Sequence, residues 1–381
     1  MARKKVSTKR KAVDFSLLMA ALLLVFIGII MVFSSSWPEG MQDFGSGYYF
    51  LKKQMISSSI GLIGLLICMN IDYKLWKKYS VLVFIAALLL VGLLFTPLGI
   101  ELKGARRWVN LGFTTFMPAD AVKIGAIIFF SSFLSNKKED IETLRQGTIP
   151  AFIFIGIACG AIYIQKDLGT TITLAGTLMA MFFVAGMKLS HLITLIVTGS
   201  TAVTLIVMKA LKSTDPKNSY RLRRIISFID PFADRQGGGW QAVQSLYALG
   251  SGGLFGLGLG KSRQKFFYIP EPYNDFIFAI IGEELGFLGT FAVIILFLIL
   301  IWRGVRIALT AKDSFGCYLA TGITALVTIQ TLIHIAVVTS SIPTTGITLP
   351  FISYGGTSLM IYMSAIGILL NISRYSDLDR S

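Results

Sequence analysis

Charged residues and cysteines are both scarce in this chain. Only 14% of its 381 residues are charged, 54% are hydrophobic, and the mean hydropathy is +0.71. A soluble core of this length could not bury so much apolar surface, which excludes a soluble globular domain. The three cysteines lie far apart inside apolar stretches, without the spacing of a disulfide framework or a metal site.

Basic residues outnumber acidic residues in this chain. The chain has 35 Lys and Arg against 20 Asp and Glu, which gives a net charge of +15. On an apolar chain this excess indicates topology signals and anionic lipid contacts, and it argues against nucleic acid as a partner. Several basic residues precede an apolar stretch that is too long for a signal-peptide core. We therefore expect residues 1–14 to form a basic cytoplasmic tail before an uncleaved first span.

Apolar stretches near the length that crosses a bilayer, roughly 20 residues, recur along the chain. They predict an all-α polytopic membrane protein with about ten transmembrane helices, in which residues 15–372 form the membrane domain and 373–381 a short cytoplasmic tail. Most of the basic residues near span ends then lie on the cytoplasmic side, together with both termini. The predicted spans are about 15–35, 54–71, 79–97, 118–135, 148–164, 168–187, 190–210, 276–301, 315–340 and 350–372.

One long connection, residues 211–275, separates the seventh and eighth spans on the outer side. Its aromatic residues and an apolar-periodic stretch argue against disorder and predict a short amphipathic or re-entrant helix at the membrane surface. Its cations outnumber its acids, and Arg and Lys suit a pyrophosphate at headgroup level. Contact with anionic phospholipid headgroups is an equally open interpretation. Arg221, Arg224 and Lys265 are the candidates.

The end of this loop carries the sharpest motif. Asn274 predicts a helix N-cap, which would place Asp275 in the first turn of the eighth span. The helix dipole favours a charged carboxylate there. A carboxylate at the boundary of water and lipid could act as a general base toward a sugar hydroxyl. A plain capping role for Asp275 is the alternative.

Ionisable residues at membrane depth need partners or a wet cavity. Lys123, about one turn into the fourth predicted span, predicts either an ion pair with Asp120 or a substrate contact. Glu283 and Glu284 are adjacent acids inside the eighth span. For both of them the sequence favours structural pairing within the bundle.

Two further outer segments complete the predicted site. Arg106 and Arg107 add two cations to the loop before the fourth span. For Asp167 the sequence favours a helix cap, and support of this cationic cluster is the alternative. The stretch 343–358 is a poor continuous helix but a good cavity wall, and within it Ser353 is a candidate support residue.

These motifs, in this order, resemble the SEDS family (shape, elongation, division and sporulation), and most closely its SpoVE and FtsW branch. The resemblance covers nearly the whole chain. It implies a peptidoglycan glycosyltransferase that polymerises lipid II into β-1,4-linked strands on the outer face of the bacterial cytoplasmic membrane and releases undecaprenyl pyrophosphate. It rests on residues 104–108, 167–170, 220–224, 244–246, 270–279 and 343–358.

The resemblance also implies roles for single residues. The family's essential acid falls on Asp275, as the general base that deprotonates the acceptor sugar. Glu283, Asp167 and Ser353 are expected to support the site, and no metal ligand is assigned. The expected phosphate-binding residues are Arg106, Arg107, Lys123, Arg221, Arg224 and Lys265.

Partners follow from the same resemblance: a class B penicillin-binding protein as transpeptidase, and other divisome, elongasome or sporulation proteins, at the septum or the forespore membrane. Assistance to the pyrophosphate by Mg²⁺ or Mn²⁺ is left open, because the outer carboxylates are too few for a metal cage. A lipid II flippase and a non-catalytic scaffold for the transpeptidase are the alternatives. A flippase needs a polar path through the bilayer, whereas the charges here gather at the outer boundary, which favours the polymerase.

Overall fold

Apolar helices make up most of the structure. The computed structural model describes residues 12–102, 105–110, 115–188 and 239–376, together with a few single positions between 190 and 232. The helices are α1 (Phe15–Phe44), α2 (Tyr49–Asn70), α3 (Tyr73–Lys78), α4 (Ser80–Gly92), α5 (Pro118–Asn136), α6 (Ile149–Tyr163), α7 (Leu168–Val184), α8 (Trp240–Ser251), α9 (Ile277–Leu309), α10 (Ser314–Val338) and α11 (Thr357–Ser373).

Large apolar side chains point outward along these helices. Phe26, Leu89 and Leu298 are 61%, 68% and 58% exposed. A water-soluble protein rarely leaves such a belt uncovered, but a bilayer covers it. Within the described residues, six helical segments are long and apolar enough to cross a membrane, and three shorter apolar helices accompany them. The prediction of a polytopic helical membrane protein is therefore confirmed.

Nine of the ten predicted spans coincide with these apolar helices. The remaining one, 190–210, lies almost wholly outside the described residues, as does the stretch 211–238 of the predicted long loop. The first eleven residues and the last five are likewise not described. The exact number of spans thus stays a prediction. The surface helix expected inside the long loop has a counterpart in α8, which packs against α9 and α10.

A small sheet departs from the all-helical prediction. Three antiparallel strands, β1 (Gly99–Leu102), β2 (Ala105–Asn110) and β3 (Thr115–Phe116), lie in sequence order between α4 and α5. Strands of two to six residues repeat their alternation too few times to stand out in a sequence dominated by long apolar stretches. The sheet carries both Arg106 and Arg107 on β2.

Helix α9 is broken at Gly286, whose φ of 68° and ψ of −164° are not helical. The segment 252–258 lies against the break and exchanges four backbone hydrogen bonds of 2.8–3.1 Å with the helix. Unpaired backbone groups at membrane depth are costly, so these bonds replace those that the helix loses. The close approach needs glycine, since a Cβ on Gly256 would lie 2.2 Å from the Glu284 carbonyl oxygen. The pairs are Leu257 with Glu283, Gly258 with Glu284, Phe287 with Gly253 and Leu288 with Leu254.

The two described ends of the chain meet at one face of the bundle. The Asp14 amide, just before α1, donates to Ser373 Oγ at the end of α11, at 3.1 Å. The Asp14 carboxylate also accepts from Arg303 at 2.5 and 2.7 Å. Far along α1, Glu39 instead accepts from the Tyr273 hydroxyl at 2.8 Å. The start of α1 and the end of α11 therefore lie on one face, and the turn before α9 lies at the other.

Candidate functional site

Asp275 lies in a turn that precedes α9. The helix begins at Ile277, and its N-cap residue, Phe276, makes no side-chain capping bond. The prediction that Asn274 caps this helix and that Asp275 lies in its first turn is wrong. Asn274 stands two residues before the actual cap position, too far for its side chain to reach the free amides, and its Nδ2 donates to Glu271 at 3.3 Å. Asp275 itself is half-buried.

The irregular connection between α10 and α11, residues 339–356, holds this turn; we call it the final loop. Ser353 Oγ accepts from the Leu349 amide at 2.8 Å and donates to the Asn274 carbonyl at 2.7 Å. A Cβ built on Gly346 would lie 3.4 Å from Asp275 Oδ2. The carboxylate of Asp275 therefore faces final-loop backbone that carries no side chain.

Aromatic packing supports the turn next to Asp275. The Tyr273 ring lies 4.5 Å from that of Phe50 and 5.7 Å from that of Tyr354, and the Tyr354 amide donates to the Tyr273 carbonyl at 2.9 Å. Burial, followed by the hydrogen bond to the Glu39 carboxylate, raises the pKa of the Tyr273 hydroxyl above its usual range. Tyr273 therefore remains a neutral donor and does not compete with Asp275 as a base.

The two predicted arginines of β2 have different environments. Arg106 pairs with Glu101 at 3.1 Å, with both side chains about half exposed. Arg107 donates to the Lys166 carbonyl at 2.6 Å and lies 4.0 Å from the Asp167 carboxylate. Asp167 also caps α7, through an oxygen 3.0 Å from the amide of the third helical residue. Asp167 thus combines the cap and the cation-supporting contact that the sequence left as alternatives.

Lys123 is buried in an ion pair within the bundle. Its side chain is 4% exposed and its Nζ lies 2.7 Å from Asp120 Oδ1. The same nitrogen lies 3.0 Å from the Tyr362 hydroxyl and 3.1 Å from Gln330 Oε1. All three ammonium hydrogens have partners. The structure therefore shows the ion pair, one of the two interpretations of Lys123. A phosphate could bind the Lys123 ammonium only by displacing the Asp120 carboxylate.

Lys265 is likewise matched inside the protein. Its Nζ lies 2.8 Å from Glu284 Oε1 and 3.2 Å from Ser34 Oγ, and the side chains of the Lys265–Glu284 pair are 3% and 0% exposed. The charge excess of the long loop predicted a phosphate ligand here. Lys265 instead pairs with Glu284, because the segment after α8 folds back against the first half of α9.

Glu283 and Glu284 hold this segment by accepting several hydrogen bonds each. Glu283 accepts from the Ser262 hydroxyl at 2.5 Å and from two backbone amides, of Arg263 and Gln264, at 2.9 and 3.3 Å. Glu284 accepts from Ser34 and from the Ser262 amide in addition to Lys265. Both glutamates have the structural pairing that buried acids need.

The remaining two candidates, Arg221 and Arg224, lie outside the described residues. Two side chains on α10, Gln330 and His334, bind the final loop, and neither was a candidate site residue from the sequence. Polar residues four apart inside an apolar span were the available signal, since this spacing places them on one helix face.

The fold and the site together define a multi-pass membrane protein with a half-buried carboxylate at one rim of its helical bundle. The chain belongs to the cell cycle protein family named for FtsW, RodA and SpoVE, whose model matches residues 15–378.

Known proteins of this family align over nearly the whole chain. It is 43% identical over 372 residues to stage V sporulation protein E of Bacillus subtilis, covering 97% of this chain and 100% of that protein. It is 42% identical over 361 residues to a probable peptidoglycan glycosyltransferase FtsW of Trichlorobacter lovleyi, covering 94% and 93%.

Solved structures share the fold. A chain from a structure of a peptidoglycan synthase complex that coordinates polymerisation and crosslinking superposes with a TM-score of 0.78 at 23% identity, covering 96% of this chain and 99% of that one. The rod shape determining protein RodA of Thermus thermophilus superposes with a TM-score of 0.69, with the same identity and coverage.

Proposed function

We propose that this protein is a peptidoglycan glycosyltransferase that polymerises lipid II at the outer face of the bacterial cytoplasmic membrane. Membership of the family and the names of its relatives support the reaction class. The observation that carries the chemistry is the position of Asp275, half-buried at the rim and facing Gly346. Because Gly346 has no side chain, it does not cover the Asp275 carboxylate on that side.

In the proposed reaction the Asp275 carboxylate takes the proton from the 4-hydroxyl of the acceptor sugar. That oxygen forms a bond to the anomeric carbon of the donor's N-acetylmuramic acid, while the bond from this carbon to the pyrophosphate breaks. Undecaprenyl pyrophosphate leaves with the electron pair. A β-1,4 link formed from an α-linked donor means inversion, which needs one base and a stabilised leaving group.

Phosphate binding falls to arginines near the rim. Of the described candidates, Arg106 has the most exposed side chain, at 52%, and a bidentate guanidinium suits a pyrophosphate. Arg107 would serve from its place beside Asp167. We propose Arg221 and Arg224 for the same role on sequence grounds alone.

We place the rim with Asp275 outside the cell. The opposite face carries Arg303, Arg374 and the lysines of α3, as the positive-inside rule expects of a cytoplasmic face. His191 lies 3.0 Å from Thr148, which precedes α6 on that basic face. Ser245 of α8 donates to the Val338 carbonyl at the end of α10, which lies on the face with Asp275. The predicted span 190–210 would join these two faces and bring the number of spans to ten.

A flippase is the weaker candidate for a physical reason. Moving a charged headgroup across the bilayer requires polar groups that line an open path. The membrane-depth cations Lys123 and Lys265 are instead paired with Asp120 and Glu284. In this proposal the Asp275 carboxylate and the pyrophosphate stay at the rim of the bundle.

We propose a class B penicillin-binding protein as partner, at the septum or the forespore membrane. A solved structure of a peptidoglycan synthase complex contains a chain of this fold, and a sporulation protein is among the relatives. A divalent cation carries no step here. The described part of the chain has no group of three or more His, Cys, Asp or Glu suited to hold a metal ion.

The test uses the purified full chain with its cognate transpeptidase and labelled lipid II. Glycan chains on a gel are the expected product, and Asp275→Asn should make none. Movement of lipid II across vesicle membranes without polymer would support the flippase. An unchanged polymer yield from the transpeptidase preparation alone would support a scaffold.

A further inference from the structure

The final loop faces Asp275, yet it has no regular secondary structure over residues 343–349. Its shape therefore depends on side chains from other elements. Two of them lie on α10: His334 Nδ1 is 2.8 Å from the Ile347 carbonyl oxygen, and Gln330 Nε2 donates to the Thr348 carbonyl at 2.9 Å. His334 and Gln330 lie one turn apart on one helix face, and they are 0% and 3% exposed.

The orientation of the Gln330 amide is set by its other contacts. Its Oε1 lies 3.1 Å from Lys123 Nζ and accepts from the Tyr362 hydroxyl. An ammonium group can only donate, so Oε1 must face Lys123 and the NH₂ group must face Thr348. Lys123 is in turn held by Asp120 at 2.7 Å. A continuous chain of contacts thus links the buried ion pair on α5 to the final loop.

The bond from His334 is buried and the bond from Gln330 is partly buried, so bulk water replaces a lost donor poorly. A buried carbonyl left without a partner costs about 1–3 kcal/mol, so the loop would shift to relieve it. Ile347 follows Gly346, whose Cβ position lies 3.4 Å from Asp275 Oδ2. A movement at residues 347 and 348 therefore changes the space beside Asp275, and a misplacement of about 1 Å can slow an enzyme about 100-fold.

We propose that Gln330 and His334 are positioning residues, which hold residues 346–348 of the final loop against Asp275. This inference rests on the proposed function, because it takes Asp275 as the base. Neither side chain needs to touch the substrate. Lys123 contributes by fixing the amide of Gln330, which gives this buried cation a role in the site without a phosphate.

His334 allows a matched pair of variants. His334→Asn keeps a donor near the position of Nδ1, whereas His334→Leu is apolar and has no donor. We expect His334→Leu to lower kcat for polymerisation by about tenfold or more, with KM changed by less than about threefold. His334→Asn should stay within about threefold of the parent. Rates are compared per folded molecule, and Gln330→Met should behave like His334→Leu.

Parental kcat in His334→Leu and Gln330→Met would overturn the proposal. So would an equal loss in His334→Asn and His334→Leu, because a hydrogen-bond anchor must distinguish these two. A merely structural role would lower the melting temperature and leave kcat per folded molecule unchanged.

Hydrogen exchange gives a readout that does not depend on Asp275. Two final-loop amides, of Leu349 and Tyr354, donate to Ser353 Oγ and to the Tyr273 carbonyl. Their exchange should become about tenfold faster or more in His334→Leu and Gln330→Met, but not in His334→Asn. Unchanged exchange together with a lower kcat would overturn the positioning role. Normal polymerisation by Asp275→Asn would overturn the base assignment, and the exchange rates would still decide whether the two side chains anchor the loop.

Discussion

Three carboxylates at the start of α9 occupy two opposite environments. Asp275 is half-buried in a turn and faces the backbone of Gly346. Glu283 and Glu284, about two turns further on, are 1% and 0% exposed, and each accepts hydrogen bonds from three residues. The contrast separates a half-buried acid at the rim of the bundle from two fully buried acids that hold a loop.

The sharpest test of this contrast is Asp275→Asn, which keeps the shape of the side chain and removes the base. Polymerisation should fall by roughly 100- to 10,000-fold, the range for loss of a general base, while the melting temperature stays near that of the parent. Asp43→Asn, an exposed acid near the end of α1, makes the same chemical change and should keep its activity. Normal polymer formation by Asp275→Asn would contradict the assignment of Asp275 as the general base.

The opposite effect is expected at the buried pair. Lys265→Met and Glu284→Gln should each lower the free energy of unfolding by about 3–5 kcal/mol, since each leaves a buried charge unpaired. The double variant should lose less than the sum of the two. Melting curves in detergent measure this coupling. Weaker lipid II binding by Lys265→Met at unchanged stability would instead favour the phosphate-binding role predicted from the sequence.

The break in α9 can be tested at Gly286. Its φ of 68° with ψ of −164° belongs to a region open essentially to glycine, and a Cβ would lie 2.3 Å from the Gly256 amide nitrogen. We expect Gly286→Ala to cost about 1–3 kcal/mol of stability. Gly160→Ala is the matched control, since among the described residues no atom lies within 4 Å of that Cβ position in α6. Equal stability of the two variants would contradict the close packing at the break.

The smallest effect is expected for Ser353→Ala, which removes the bridge from the final loop to the Asn274 carbonyl. Loss of this buried bond should cost about 1–2 kcal/mol and lower the polymerisation rate in part. Ser364→Ala removes a hydroxyl that bonds only the Met360 carbonyl of its own helix and serves as the control. A rate equal to that of this control would show that the bridge does not position Asp275.

The sequence predicted the helices well and their mutual contacts poorly. Long apolar stretches identify spans because the bilayer sets their length, and the ion pair of Lys123 with Asp120 was predictable from its spacing of three residues. The contact of Lys123 with Tyr362 joins residues 239 apart, and no local pattern encodes it. The pairing of Lys265 with Glu284 depends on the fold-back against the broken helix.

The start of α9 shows a subtler limit. Asn274 has good capping chemistry, but the turn that bonds to Ser353 and Tyr354 delays the helix to Ile277. Tertiary contacts thus overrode a local preference at the residue that matters most for the proposed reaction.

The contact between Asp14 and Ser373 also has a practical meaning. Because the start of α1 lies against the end of α11, these two helix ends form a seam in the bundle. A short linker across this seam, with new ends opened elsewhere on the basic face, should give a circular permutant that folds to the same bundle. Labels attached next to Asp14 and Ser373 would lie close together, at the face of the bundle opposite Asp275.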